Sequence, residues 1–324
     1  MISCTEFIPL YSEFFKYLAK NCGGDEAVHE YWNYLADYSL GDLTNPDSLA
    51  SKCERLGGFD GARAYWGKSI PEEACNTYGI YNPKLRYSYS IMRYCPSKGM
   101  LNKLEHVEPY HDYCEHCRVI YDRVISRYGA RYERDHTNIA NASCSSILYE
   151  EGHKPDFDYT VPTPDCIVSD VCRDGQKYLH RDFHLSCDFA LKYCGMKFGK
   201  EGVCGFLTDY AKYYYAPVIN DFREGGLPAV KAWLEHLYEV EEAPEVEEAP
   251  EVLHTELSDT ELKVRIDKSP VIEYMKTLNQ KPSEYYVEET RTLYDAMAEE
   301  AGLGFSFDKY DEVTGEAEYR FFVK

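Results

Sequence analysis

The segment Tyr113-Cys114-Glu115-His116-Cys117-Arg118-Val119-Ile120-Tyr121-Asp122 returns later in the chain as Tyr286-Val287-Glu288-Glu289-Thr290-Arg291-Thr292-Leu293-Tyr294-Asp295, with five of the ten positions identical. Other stretches match at nearly the same offset, about 173 to 175 residues. Pro109 falls on Pro282, Cys95-Pro96 on Ser269-Pro270, and Gly24-Asp25-Glu26-Ala27-Val28 on Gly199-Lys200-Glu201-Gly202-Val203. With a small gap, Gly57-Gly58 before Trp66 answers Gly225-Gly226 before Trp233. Matches that keep their order along both halves predict a tandem duplication. The units expected are 1–152 and 180–324, joined by a connector over 153–179 that carries Pro155, Pro162 and Pro164.

Each unit reads as helices followed by a small sheet. Helical spacing runs through Glu6 to Ala19, Asp25 to Tyr38, Pro46 to Leu56 and Asp60 to Lys68. The period then changes: Leu85, Tyr87, Tyr89 and Ile91 alternate with Arg86, Ser88, Ser90 and Met92, the pattern of a half-buried strand leading into Cys95-Pro96. Asp112 to Tyr128 is expected to form a long helix, capped by Asp112 and stopped by Gly129, and Ser143 to Tyr149 returns to strand. The second half repeats this with a strand over Leu262 to Ile266, a helix over Glu284 to Glu300 and a strand over Glu316 to Val323. The fold class expected is therefore α+β, each unit having N-terminal helices and a small sheet packed on one long helix. The run 239–252, in which Glu-Val-Glu-Glu-Ala-Pro occurs twice, is read as an acidic surface insertion.

Over 324 residues, 56 Asp and Glu against 35 Lys and Arg leave a formal net charge of −21. That charge, with no basic cluster to interrupt it, disfavours binding to a phosphate backbone, so no nucleic-acid partner is expected. No apolar run approaches the roughly 20 residues a membrane helix requires, so no membrane partner is expected either. The first residues, Met1-Ile2-Ser3-Cys4-Thr5-Glu6, lack the pattern of a signal peptide, which makes a cytoplasmic location the expectation. Thirteen cysteines, all between Cys4 and Cys204, then read as free thiols, metal ligands or a reactive site rather than as a disulfide framework.

Chemical interest centres on four of them. Cys95 ends a strand, Cys114 and Cys117 sit three apart at the start of the long helix and so share a face, and Cys144 opens the last strand. If these ends converge, four sulfurs meet. Such a cluster suits zinc or an iron–sulfur cluster, with Cys95, Cys114, Cys117 and Cys144 as ligands. It equally suits a thiol nucleophile favoured by the positive end of a helix dipole, or plain burial of inert cysteines. His106, His111 and His116 lie nearby as candidate bases, with His111 favoured for its place next to the helix start. In the second half Cys95, Cys114 and Cys117 become Ser269, Val287 and Thr290, so any such activity belongs to the first unit.

Arg93-Tyr94-Cys95-Pro96, Tyr113-Cys114-Glu115-His116-Cys117 and Ala142-Ser143-Cys144 together resemble L-2-amino-thiazoline-4-carboxylic acid hydrolase-like proteins, over about residues 1–150. The chain is similar to bacterial members that combine a Cys-Pro strand end with Tyr-Cys-Glu-His-Cys. The resemblance implies hydrolytic opening of a cyclic amidine, acting on a carbon–nitrogen or carbon–sulfur bond. Cys114 or Cys117 would be the nucleophile with His111 as base; four thiolates on zinc would instead form a closed site better suited to a structural ion. The expectation is a small-molecule hydrolase with a cysteine-lined pocket, the second unit being a degenerate copy. The alternative is a non-enzymatic metal- or iron–sulfur-binding ligand sensor.

Overall fold

The structure, a computed structural model, describes residues 1–241 and 252–324. Of the acidic run 239–252, residues 242–251 lie outside the described residues. The fold is α+β, with helices accompanying two small antiparallel sheets. The chain forms two compact units, one of residues 15–180 and one of residues 1–14 with 181–324.

The 15–180 unit begins within α1 (Phe7–Cys22) and continues through α2 (Asp25–Tyr38), α3 (Leu49–Leu56) and α4 (Gly58–Glu72). Ser48 caps α3 by accepting the Ser51 amide, and Gly57, at φ 82°, separates α3 from α4. The hairpin β1 (Asn76–Asn82) and β2 (Tyr87–Tyr94) follows, then α5 (Pro96–Lys103), α6 (Glu115–Ile125), β3 (Ala130–Asp135), β4 (Cys144–Glu150) and β5 (Ile167–Val171). Pro96 opens α5 at a position where its missing amide hydrogen costs nothing. α6 starts later than its sequence suggests. Tyr110 to Cys114 form tight turns, and Asp112 contributes its carbonyl to the Glu115 amide, so the side-chain cap expected of Asp112 is not made.

The sheet order is β3-β4-β2-β1-β5. Successive residues of a strand face opposite sides, so register decides which residues meet. On one face Ile80, Tyr87, Ile147 and Tyr149 form a buried cluster, covered by Tyr159 and Cys166 from the stretch after β4. That stretch also supplies β5, an exposed edge strand paired with β1, which shows no apolar alternation because neither of its faces is buried. On the opposite face Tyr132 packs against Trp66 of α4 at 4.8 Å and Tyr121 of α6 at 5.9 Å between ring centroids. Phe15, Trp32, Ile120, Val124 and Ile125 build the helical side of this core.

The other unit follows the same order. α7 (Asp182–Tyr214) is broken at Gly199 and α8 (Ala216–Glu241) at Gly226, with φ of 67° and 61°, values an L side chain rarely adopts. These are the glycines aligned above with Gly24 and with the Gly57-Gly58 pair. Then come β6 (Leu253–Leu257), β7 (Glu261–Ile266), α9 (Pro270–Thr277), α10 (Glu288–Ala301), β8 (Leu303–Tyr310) and β9 (Ala317–Val323). Its sheet order β6-β7-β9-β8 repeats β1-β2-β4-β3. Register repeats too: Arg134 pairs with Ser146, and adding 173 to both numbers gives the pair Phe307 and Tyr319. No described helix is long and apolar enough to cross a membrane.

Candidate functional site

The end of β2, the start of α6 and the start of β4 bring the four cysteines of interest into one neighbourhood. The Cys95 amide donates to the Ala142 carbonyl at 2.7 Å, tying the end of β2 to the loop before β4, while Cys144 pairs with Met92 across the sheet. Burial, the largest influence, raises the Cys95 thiol, and Cys117 and Cys144 are close enough to add to the effect. Burial likewise pushes Cys114 up to about 12, reinforced by Cys117 and opposed by Lys98 and Arg134. Cys117 is also raised by burial, but the Arg134 guanidinium pulls the other way by charge and by hydrogen bonding. These thiols therefore rest in their neutral form.

His116 completes the arrangement at the helix start. Its Nδ1 is hydrogen-bonded to the Tyr113 carbonyl, and its Nε2 lies 3.3 Å from Cys117 Sγ. A carbonyl only accepts, so Nδ1 carries the proton and Nε2 offers its lone pair to the thiol. The ring packs against Tyr113 at 4.8 Å and Phe15 at 5.9 Å. Burial drives its pKa down to about 4, against the pull of the Tyr113 carbonyl, so the imidazole is neutral at physiological pH. His111 lies elsewhere: its side chain is 67 % exposed and its Nε2 is 3.6 Å from Asp25.

Two further residues join the cluster, Arg134 from β3 and Glu73 just after α4. The Arg134 Nη2 donates to Cys144 Sγ, whereas its Nε is shut off from solvent without a partner among the described residues. Glu73, raised chiefly by burial, feels His180, Arg134 and His116. Arg134 also closes a row across the sheet. From β1 to β3 the register reads Gly79, Ser90, Ser146, Arg134, all on the face that carries Tyr132. In the other unit the corresponding row is Thr255, Val264, Tyr319, Phe307. The row of small residues ending in a cation is thus particular to the 15–180 unit. Strand parity around Arg134 was the available signal, but in Ala130-Arg131-Tyr132-Glu133-Arg134-Asp135 the inward arginine hides the alternation.

At the matching helix start of the other unit, Thr290 and Tyr294 stand where Cys117 and Tyr121 stand. Their hydroxyls lie 3.0 Å and 2.9 Å from the Met1 nitrogen, and residues Met1 to Cys4 are buried there. Cys187 Sγ donates to Glu289 Oε1 at 3.0 Å, and burial raises Glu289 to about 7. At that helix start hydroxyls stand where the aligned helix carries Cys117 and Tyr121, and main chain packs beside it.

Among the described residues no three His, Cys, Asp or Glu side chains are grouped so as to hold a metal ion. The Arg134 guanidinium among the sulfurs also opposes a second cation by charge. No family model, curated protein or solved structure matches this chain.

Proposed function

We propose that the 15–180 unit is a small-molecule hydrolase in which Cys117 attacks and His116 serves as base. The observation carrying this reading is the Tyr113 carbonyl, His116, Cys117 sequence, a thiol facing a base that is oriented by a third group. His116 takes the role the sequence suggested for His111. Because thiol and imidazole both rest neutral, the proton leaves sulfur as attack proceeds rather than beforehand.

On a cyclic amidine containing sulfur, Cys117 Sγ bonds to the carbon between nitrogen and sulfur while its proton passes to His116 Nε2. The ring carbon–sulfur bond breaks, and the departing sulfur takes that proton. Water, deprotonated by His116, then attacks the same carbon; the proton returns to Cys117 Sγ as its bond to carbon breaks, leaving a urea and a free thiol. The repeated element order and register support reading the two units as copies, with only the first retaining this chemistry.

A second reading, ligand binding without turnover, draws on the upward shift of all three thiols Cys95, Cys114 and Cys117, which weakens a nucleophile. Incubation of the purified protein with a 2-aminothiazoline, scored by mass spectrometry for the ring-opened urea, separates the two. Turnover lost at least a hundredfold in both Cys117→Ala and His116→Gln but kept in His111→Ala supports the hydrolase. Substrate that binds but persists unchanged supports the sensor.

A further inference from the structure

A guanidinium carries its charge at every physiological pH and offers five donors. Inside a protein it is normally answered by carboxylates, because a buried cation lacking an anion is strongly disfavoured. Arg134 is not answered in this way. Its Nη2 is spent on Cys144 Sγ, a weak acceptor, and it also hydrogen-bonds Cys117, while its Nε bonds to nothing. Buried Glu73 is near enough to feel its charge, but no carboxylate among the described residues makes an ion pair with it. The surface arginines of the same unit behave otherwise: Arg86 reaches Asp60 and Glu150, and Arg123 reaches Asp37.

Nor is Arg134 required to build the sheet. The equivalent place in the other unit holds Phe307, in the same register opposite Tyr319. Beside Arg134 the sheet face steps down to Ser146, Ser90 and Gly79, whose short side chains leave the guanidinium as the only long polar group of the row. α6 lies against that face: its Tyr121 packs on Tyr132, Cys117 accepts a hydrogen bond from Arg134, and His116 feels the Arg134 charge. An anion bound by Arg134 therefore lies next to the sulfur.

We propose that Arg134 is the anion-binding group of this site, and that the molecule taken there carries an oxyanion, a carboxylate or a phosphate, held beside Cys117. The proposal rests on the thiol cluster being a small-molecule site, as proposed above. Ser90 and Ser146, in register beside Arg134, offer hydroxyl partners for that group, while the sulfurs face the rest of the molecule.

Two alkylating agents that differ in one charge test it in the full chain. Iodoacetate carries a carboxylate and iodoacetamide does not, and peptide mass spectrometry reads each cysteine separately. The ratio of the iodoacetate to the iodoacetamide rate at Cys117 is expected to exceed the ratio at exposed Cys172 by about tenfold, the worth of one charge-assisted hydrogen bond. In Arg134→Gln it should fall to the Cys172 value, and in Arg134→Lys it should be largely kept. Equal ratios at Cys117 and Cys172 in the unaltered protein overturn the proposal.

If Cys117 resists both agents, its role as nucleophile fails, and the anion site is decided by the thermal midpoint instead. Acetate or inorganic phosphate, compared with chloride at matched ionic strength, should raise the midpoint of the unaltered protein and not that of Arg134→Gln. The anion that acts identifies carboxylate or phosphate as the favoured group. No rise with either, or the same rise in both proteins, refutes an anion site at Arg134.

Discussion

His116 Nε2 lies 3.3 Å from Cys117 Sγ, one residue further along the same helix start. Neighbours in sequence on a helix ordinarily diverge by about 100°, so this contact depends on the imidazole being turned by the Tyr113 carbonyl and wedged between Phe15 and Tyr113. The pair is thus a product of packing around α6.

That packing makes stability depend on pH in a defined window. Burial lowers His116 to about 4, below the value near 6.5 of an unfolded chain, so the unfolded state binds the extra proton. The contribution of the neutral ring is complete above about pH 6.5 and declines as pH falls towards 4. Urea midpoints of the protein and of His116→Gln should therefore converge between pH 7 and pH 4.5. A constant gap across that range would show that the ring titrates normally.

Asp188 in the other unit titrates with the opposite sign. It accepts the Ser283 amide and hydroxyl, yet burial outweighs these bonds and raises it to about 6. Its protonated form is favoured by folding, so its contribution is present below about pH 4 and lost as pH rises through 6. The stability of Asp188→Asn minus that of the unaltered protein should rise by about 3 kcal/mol from pH 4 to pH 7.5, two pKa units' worth. Denaturant titrations at the two pH values measure the difference.

Cys166 is expected to be the most reactive thiol of the 15–180 unit. Burial acts to raise it, but donors on its sulfur prevail: the Thr163 amide and hydroxyl, the Tyr87 hydroxyl and Asn82 Nδ2 at 3.5 Å. Asn82 is fixed in that orientation because its Oδ1 accepts the Lys84 and Leu85 amides. At pH 7 Cys166 should alkylate at least several-fold faster than buried Cys53, and Tyr87→Phe should slow it about two- to fivefold. Residue-resolved alkylation kinetics check both statements.

Gly61 sets the approach of α3 to α4. A Cβ there would stand 2.4 Å from the Cys53 Cα and 2.5 Å from its nitrogen, main-chain atoms that cannot rotate away. Gly61→Ala should cost about 1–3 kcal/mol despite its better helix propensity. Gly67→Ala in the same helix meets nothing and should be neutral or slightly stabilising, with urea midpoints of the two variants as the comparison.

The α+β class was legible from local pattern. α2 spans the residues its spacing indicated, Asp25–Tyr38, and the alternation from Tyr87 to Ile91 lies within β2. Gly199 and Gly226 were marked in the sequence only by their alignment with Gly24 and the Gly57-Gly58 pair; that they break α7 and α8 at positive φ is a result of the structure. The concentration of thiols around Cys114 and Cys117 was legible in the chain.

What the sequence could not express is which residues share a sheet face, since that is set by pairing between strands far apart in the chain. β1, β3 and β5 carry weak patterns: Gly79 interrupts the first, Arg134 points inward from the second, and the third is exposed on both faces. With them went Arg134, Glu73 and the Gly79, Ser90, Ser146 row. Along the chain His111 is the favoured base for its place next to the helix start, and only the fold sets His116, five residues on, against sulfur and leaves His111 in solvent. Spacing along a helix is a local property and survives in the sequence. The side-to-side order of strands comes from long-range hydrogen bonding and burial, so it exists only once the chain has folded.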